Sequence, residues 1–147
     1  MKTTLICLLL GFAFSYNREG AVEYAKKYCN NYNPNYNNYK YYNDGDESAN
    51  FISQCISIGG GQDLRGCDYL DNKGMVKYDT LFGYCLTTKG WKKTLNASKG
   101  DVLILRTNLF PMIVTDVVNN NIYFCSHKPD RCDALASVHQ IDIYSPS

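Results

Sequence analysis

Two kinds of side chain in this sequence are the first candidates for nucleophilic, metal-binding or proton-transfer chemistry near neutral pH: histidine, found only at His127 and His139, and cysteine, found at 7 positions. Cys7 lies in an apolar N-terminal run, which leaves Cys29, Cys55, Cys67, Cys85, Cys125 and Cys132, an even set. A zinc centre draws on closely spaced thiolates and imidazoles, usually with a Cys-x-x-Cys pair, and the sequence contains none. The cysteines therefore read as a framework of three disulfides. Spacing does not choose their pairing, although Cys125 and Cys132 flank a Lys-Pro-Asp turn and could close a short loop. Cys55 sits on a buried helical pattern, so a disulfide is expected of it in preference to a nucleophilic role. His127 reads as a polar brace for the turn beside Cys125, and His139 as a surface residue opening the last strand. No metal and no cofactor is expected.

The elements that must position these groups begin after a targeting segment. Met1-Lys2-Thr3-Thr4 is followed by LICLLLGFAF, an apolar run of about ten residues, the length of a signal-peptide core. Small residues at Ala13 and Ser15 place cleavage between Ser15 and Tyr16. The expected organisation is a signal peptide over 1–15 and one domain over 16–147, exported to an oxidising, extracellular compartment. Asn96-Ala97-Ser98 is a glycosylation sequon that agrees with export. The net charge of +1 comes from scattered residues, which excludes the basic stripe of a nucleic-acid or anionic-membrane binder.

From Tyr16 to Cys29 the residues Ala21, Val22, Tyr24, Ala25 and Tyr28 recur at helical spacing, with Asn17 as N-cap and Lys26 and Lys27 near the end. The following NNYNPNYNNYKYYNDGD is an Asn- and Tyr-rich loop whose rings cover a small core. Phe51, Ile52, Cys55, Ile56 and Ile58 then share an inward arc of a second, more buried helix that starts at Ser48 and stops at Gly59-Gly60-Gly61. Residues 62–99 carry no clear period; Trp91, Leu81, Phe82 and Tyr84 are the expected anchors. After Gly100 the pattern alternates: DVLILRT, MIVTDVV, a turn at 119–121, IYFCS and QIDIYS. Helices first and strands later predict an α+β domain, with N-terminal helices packed on a mostly antiparallel sheet.

Three segments, in order, resemble the putative amidase domain family, papain-like cell-wall hydrolases that cut peptide or amide bonds in peptidoglycan. YNREGAVEYAKKYC with NPNY resembles its opening helix and turn. ANFISQCISIGG resembles its core helix, usually Gly-Asp-Cys-Thr/Ala-Asn-Phe-Val-Ser-Gln. GDVLIL, MIVTDV and FCSHKPDR resemble its sheet, including a strand that ends near His-Thr-x-Asp. The resemblance implies a papain-like cell-wall hydrolase fold, in which a thiol near a helix N-terminus is deprotonated by a histidine on the adjacent sheet. Aligned on Asn50-Phe51, the family's cysteine falls on Ser48 and its aspartate on Glu47. The histidine of the family's His-x-x-Ile-Val-Thr falls on Phe110, and the later histidine on His127.

With serine at the thiol's position and phenylalanine at the base's, the resemblance implies a secreted pseudoenzyme. A hydroxyl needs a positioned base far more than a thiol does. Such a protein would bind a cell-wall-type peptide or glycan, or a protein, through a cleft near Glu47, Ser48, Asn50, Gln54, His127 and Asp130 and the tyrosine-rich loop. The alternatives are an active amidase working through Ser48 and His127, and a structural protein of an extracellular coat.

Overall fold

The computed structural model describes residues 15–137 and 139–147, so the signal-peptide segment lies outside the described residues. Helix α1 (Arg18–Tyr28) begins where Asn17 accepts the backbone N–H of Gly20 at 2.9 Å, the cap expected from its short polar side chain. A long loop leads to α2 (Glu47–Gln54), which continues as one π-turn, Cys55–Gly59. The helix starts one residue before the expected Ser48, with Asp46 as its N-cap. A 3-10 turn (Asp79–Leu81) runs into α3 (Phe82–Thr88). Six strands follow: β1 (Lys92–Thr94), β2 (Val102–Leu105), β3 (Pro111–Val118), β4 (Asn121–Ser126), β5 (Arg131–Leu135) and β6 (Ile141–Ser145).

The strands form one sheet of order β1-β6-β2-β3-β4-β5, and every pairing is antiparallel. The expected α+β class is the observed one. Period-two alternation sorts the side chains. Val102, Ile104, Ile113 and Cys125 face α1, α2 and α3, packing with Ala21, Ala25, Phe51, Ile52, Ile56, Phe82, Leu86 and Trp91. Leu103, Met112, Val114 and Ile122 make a second cluster on the opposite face. Trp91 and Phe82 are the anchors expected of them, whereas Tyr84 is 75% exposed because it lies on the solvent side of α3.

The cysteines depart from three bridges. Cys29 pairs with Cys132, tying the end of α1 to β5, and Cys67 pairs with Cys85. Among the described residues Cys55 and Cys125 have no disulfide partner, and both are fully buried among the apolar groups between helices and sheet. Burial pushes both thiols up, Cys125 to about 11. Cys125 cannot close the short loop with Cys132, because its side chain points into the core while Cys132 reaches α1.

Gly59 and Gly60 do more than end a helix. A Cβ on Gly59 would lie 2.6 Å from Cβ of Tyr24 and 2.7 Å from the carbonyl oxygen of Gly20. One on Gly20 would meet the Gly59 carbonyl oxygen at 2.3 Å. Backbone therefore packs directly on backbone where α1 crosses the π-turn, and no side chain fits between. We expect Gly59→Ala to cost about 1–3 kcal/mol by overpacking, read as a lower urea midpoint at unchanged slope; an unaltered midpoint would show that the two elements separate freely.

Candidate functional site

The first turn of α2 carries Glu47, Ser48 and Asn50, and each finds a different partner. Ser48 is buried, with 3% of its surface exposed. Its hydroxyl donates to the carboxylate of Asp79, 2.7 Å from either oxygen. The same carboxylate accepts the backbone N–H of Ala49 at 3.0 Å. Asp79 thus serves α2 as the cap that Asp46, its own N-cap residue, does not supply. Asp46 instead accepts the backbone N–H of Asp79 at 2.8 Å, so the two aspartates exchange caps. Burial raises the Asp79 carboxyl from 3.8 to about 6, opposed by the Ser48 hydrogen bond and reinforced by the Asp46 charge.

Asp79 also lines a cleft of about 410 Å³ with Ile104, Leu109, Asp142, Tyr144 and the exposed ring of Tyr84. This opening lies between the 3-10 turn with α3 and the sheet at Lys93, Ile104, Asp142 and Tyr144; Asp79 is on its wall, and Ser48 stands behind Asp79, outside the lining. Phe110, the residue at the histidine's position, packs instead on the second cluster with Leu103, Met112 and Val114. Its neighbour Leu109, held at φ 60°, faces the cleft.

His127 is not part of this cleft. Its Nδ1 is 2.6 Å from Oε2 of Glu47, and its Nε2 is 2.7 Å from the carbonyl oxygen of Tyr28. A carbonyl only accepts, so Nε2 carries its proton, and the remaining proton lies between Nδ1 and Glu47. The other oxygen of Glu47 accepts the backbone N–H of Tyr39 at 2.9 Å and the amide of Asn50 at 2.8 Å. Phe51 stacks on one face of the imidazole at 3.7 Å between centroids and Tyr32 on the other at 4.2 Å. Neither ring nitrogen has a lone pair to offer Ser48. The Glu47–His127 pair is a buried structural clamp, and His127 stacks within it where a brace of the nearby turn was expected.

The other candidates are also held in place. Gln54 accepts the Tyr24 hydroxyl at 2.7 Å. Asn50 donates to the Asn37 carbonyl at 2.7 Å, and its own side-chain oxygen is buried without a partner among the described residues. Asp130 accepts the Tyr32 hydroxyl at 2.8 Å and lies 3.9 Å from Lys40. Asn96 and His139 are exposed. Asp79 is the site residue that sequence reasoning missed. It lies in the stretch without a clear period, and nothing local marks it as the partner of a serine 31 positions away.

Residues 15–70 match the family described as "Putative amidase domain". This amidase-like segment holds α1, the tyrosine-rich loop and α2, but not the sheet with Phe110 and His127. A protein of Bacillus subtilis (strain 168), described as "Uncharacterized protein YhbB", is 50% identical over 56 residues. That stretch covers 38% of this chain and 16% of the Bacillus protein's length. No solved structure matches at a comparable level of significance.

Two expectations follow for His127 and Asp79, which lie outside the matched segment but hold its Glu47 and Ser48. His127→Ala leaves the buried carboxylate of Glu47 and the Tyr28 carbonyl unpaired and should cost about 3–5 kcal/mol in urea unfolding; a loss below about 1 kcal/mol would mean that water replaces the imidazole. The raised Asp79 carboxyl binds its proton more tightly in the folded state than at its ordinary 3.8. Its stabilising contribution is therefore complete below about pH 4 and is lost as pH rises through about 6. The melting temperature of Asp79→Asn relative to the natural protein should rise over that window, and a flat difference would mean that Asp79 is not buried as a carboxylate.

Proposed function

We propose that this protein is an exported, amidase-like domain of papain-like fold that has lost thiol–imidazole chemistry and retains its cleft for binding. The apolar N-terminal run and the two disulfides support export to an oxidising compartment. Among the described residues no helix is long and apolar enough to cross a membrane.

One observation supports the loss of chemistry: both nitrogens of His127, the histidine at the position of the resemblance's later histidine, are engaged, by Glu47 and by the Tyr28 carbonyl. A serine attacks an amide only when a base removes its proton and later protonates the leaving amine. Ser48 instead gives its hydroxyl hydrogen to a carboxylate that also caps the helix, an arrangement that holds α2 in place. The cleft beside Asp79 carries the Lys93–Asp142 ion pair, 3.3 Å apart, and the phenols of Tyr84 and Tyr144 on its walls, polar groups suited to a peptide or amide ligand.

A second reading rests on the same contact. Asp79, with a carboxyl raised to about 6, is ionised at neutral pH and stands 2.7 Å from Oγ of Ser48, within reach for a carboxylate base. Turnover of a peptidoglycan preparation separates the two. The natural protein should release no amine ends above background and Ser48→Ala should match it, while both retain binding to the preparation. Release that disappears in Ser48→Ala and in Asp79→Asn would overturn the pseudoenzyme reading and make Ser48 a nucleophile served by Asp79.

A further inference from the structure

A second opening, of about 770 Å³, lies between the tyrosine-rich loop and the turn that follows Leu70. It shares no lining residue with the Asp79 cleft. Its frame is built by one carboxylate. Asp71 accepts the Tyr39 hydroxyl at 2.9 Å and the Asn37 amide at 3.1 Å, and also the backbone N–H groups of Lys73 and Met75 at 2.9 and 3.1 Å. Asn37 reaches Asn72 as well, at 2.6 Å, and the backbone of Tyr39 is held by buried Glu47. The loop is therefore tied to both the clamp and the opposing turn, and the groove exists before any ligand arrives.

On this frame stand groups that the fold does not use. Among the described residues, the side-chain nitrogens of Asn38 and Asn72, the carboxylate of Asp44 and the ammonium of Lys77 make no hydrogen bond, and all line the groove. Tyr42 has its ring 63% exposed at the same opening, where Tyr36 also lies. Leu70 is the only aliphatic side chain there, and the free charges are one acid and one base. An apolar ligand would find little to cover it, and a strongly charged one no net complement. Flat phenol rings beside neutral amides match a sugar, whose C–H faces lie on aromatic rings while its hydroxyls both donate and accept.

We propose that this groove binds a neutral oligosaccharide, with the rings of Tyr36 and Tyr42 under the sugar faces and the amides of Asn38 and Asn72 on its hydroxyls. The inference does not depend on the Asp79 cleft or on whether Ser48 is active. Calorimetric titration of the mature chain with cellohexaose and with chitohexaose tests it. Saturable binding of at least one sugar is expected, weakened about tenfold or more, roughly 1.4 kcal/mol, by Tyr42→Ala and by Asn72→Ala. Asp79→Asn should bind as the natural protein does. Because Tyr42 is mostly exposed, the thermal midpoint of its variant serves as the control for folding. Absence of saturable binding up to millimolar concentrations of both sugars would overturn the proposal, as would affinity indifferent to Tyr42 and Asn72. Affinity lost in Asp79→Asn alone would place the sugar in the other cleft and overturn it equally.

Discussion

The contact on which most of this molecule depends is the buried pair of Glu47 and His127, 80 residues apart in sequence. A carboxylate with 1% of its surface exposed is tolerable only if every oxygen is occupied, and here one takes two N–H donors while the other faces the imidazole. Satisfying it drafts four separate parts of the chain: the backbone of the tyrosine-rich loop at Tyr39, the first turn of α2 through Asn50, the turn after β4 through His127, and the last turn of α1 through Tyr28. The rings of Phe51 and Tyr32 close the pair from above and below. The disulfide between Cys29 and Cys132 crosses nearby, fastening the residue after Tyr28 to β5. A loop rich in Asn and Tyr, with no regular hydrogen bonding of its own, becomes ordered because its backbone is needed to neutralise a buried acid.

A second constraint governs the N-terminal end of α2. Four backbone N–H groups at a helix start need acceptors, and the residue placed to supply one, Asp46, turns away to cap the 3-10 turn at Asp79. Asp79 returns the favour to Ala49 and Ser48. This exchange joins a helix to a segment with no strong local signal, and it decides the character of the site. At the position of the resemblance's thiol stands the Ser48 hydroxyl, which donates to the Asp79 carboxylate, and the imidazole of His127 is held in the clamp.

Close packing sets the third limit. The meeting of Gly20 and Gly59 lets α1 lie on the π-turn at backbone distance, which brings the Tyr28 carbonyl within reach of His127. The same density explains the cysteines. Cys55 and Cys125 act as small apolar fillers between helix and sheet, while the pairs that bridge, Cys29–Cys132 and Cys67–Cys85, fasten the edges of the core.

Local signals in the sequence were sufficient for the α+β class, for α1 with its Asn17 cap, for α2 within one residue, and for strands β2, β3, β4 and β6, because each depends on a period or cap visible within about ten residues. The residues of the resemblance were likewise legible as a contiguous motif. Strands β1 and β5 were not, since Lys92–Thr94 and Arg131–Leu135 are short, largely exposed edges whose residues carry no alternation of burial. Nor were the roles of the polar residues. That Glu47 partners His127, that Ser48 answers to Asp79, that Leu109 and not Phe110 faces the cleft, and that two cysteines stay free were decided by the tertiary structure. Each depends on which groups meet across dozens of residues when burial forces every polar atom to find a partner, and residue type and spacing carry no record of that competition.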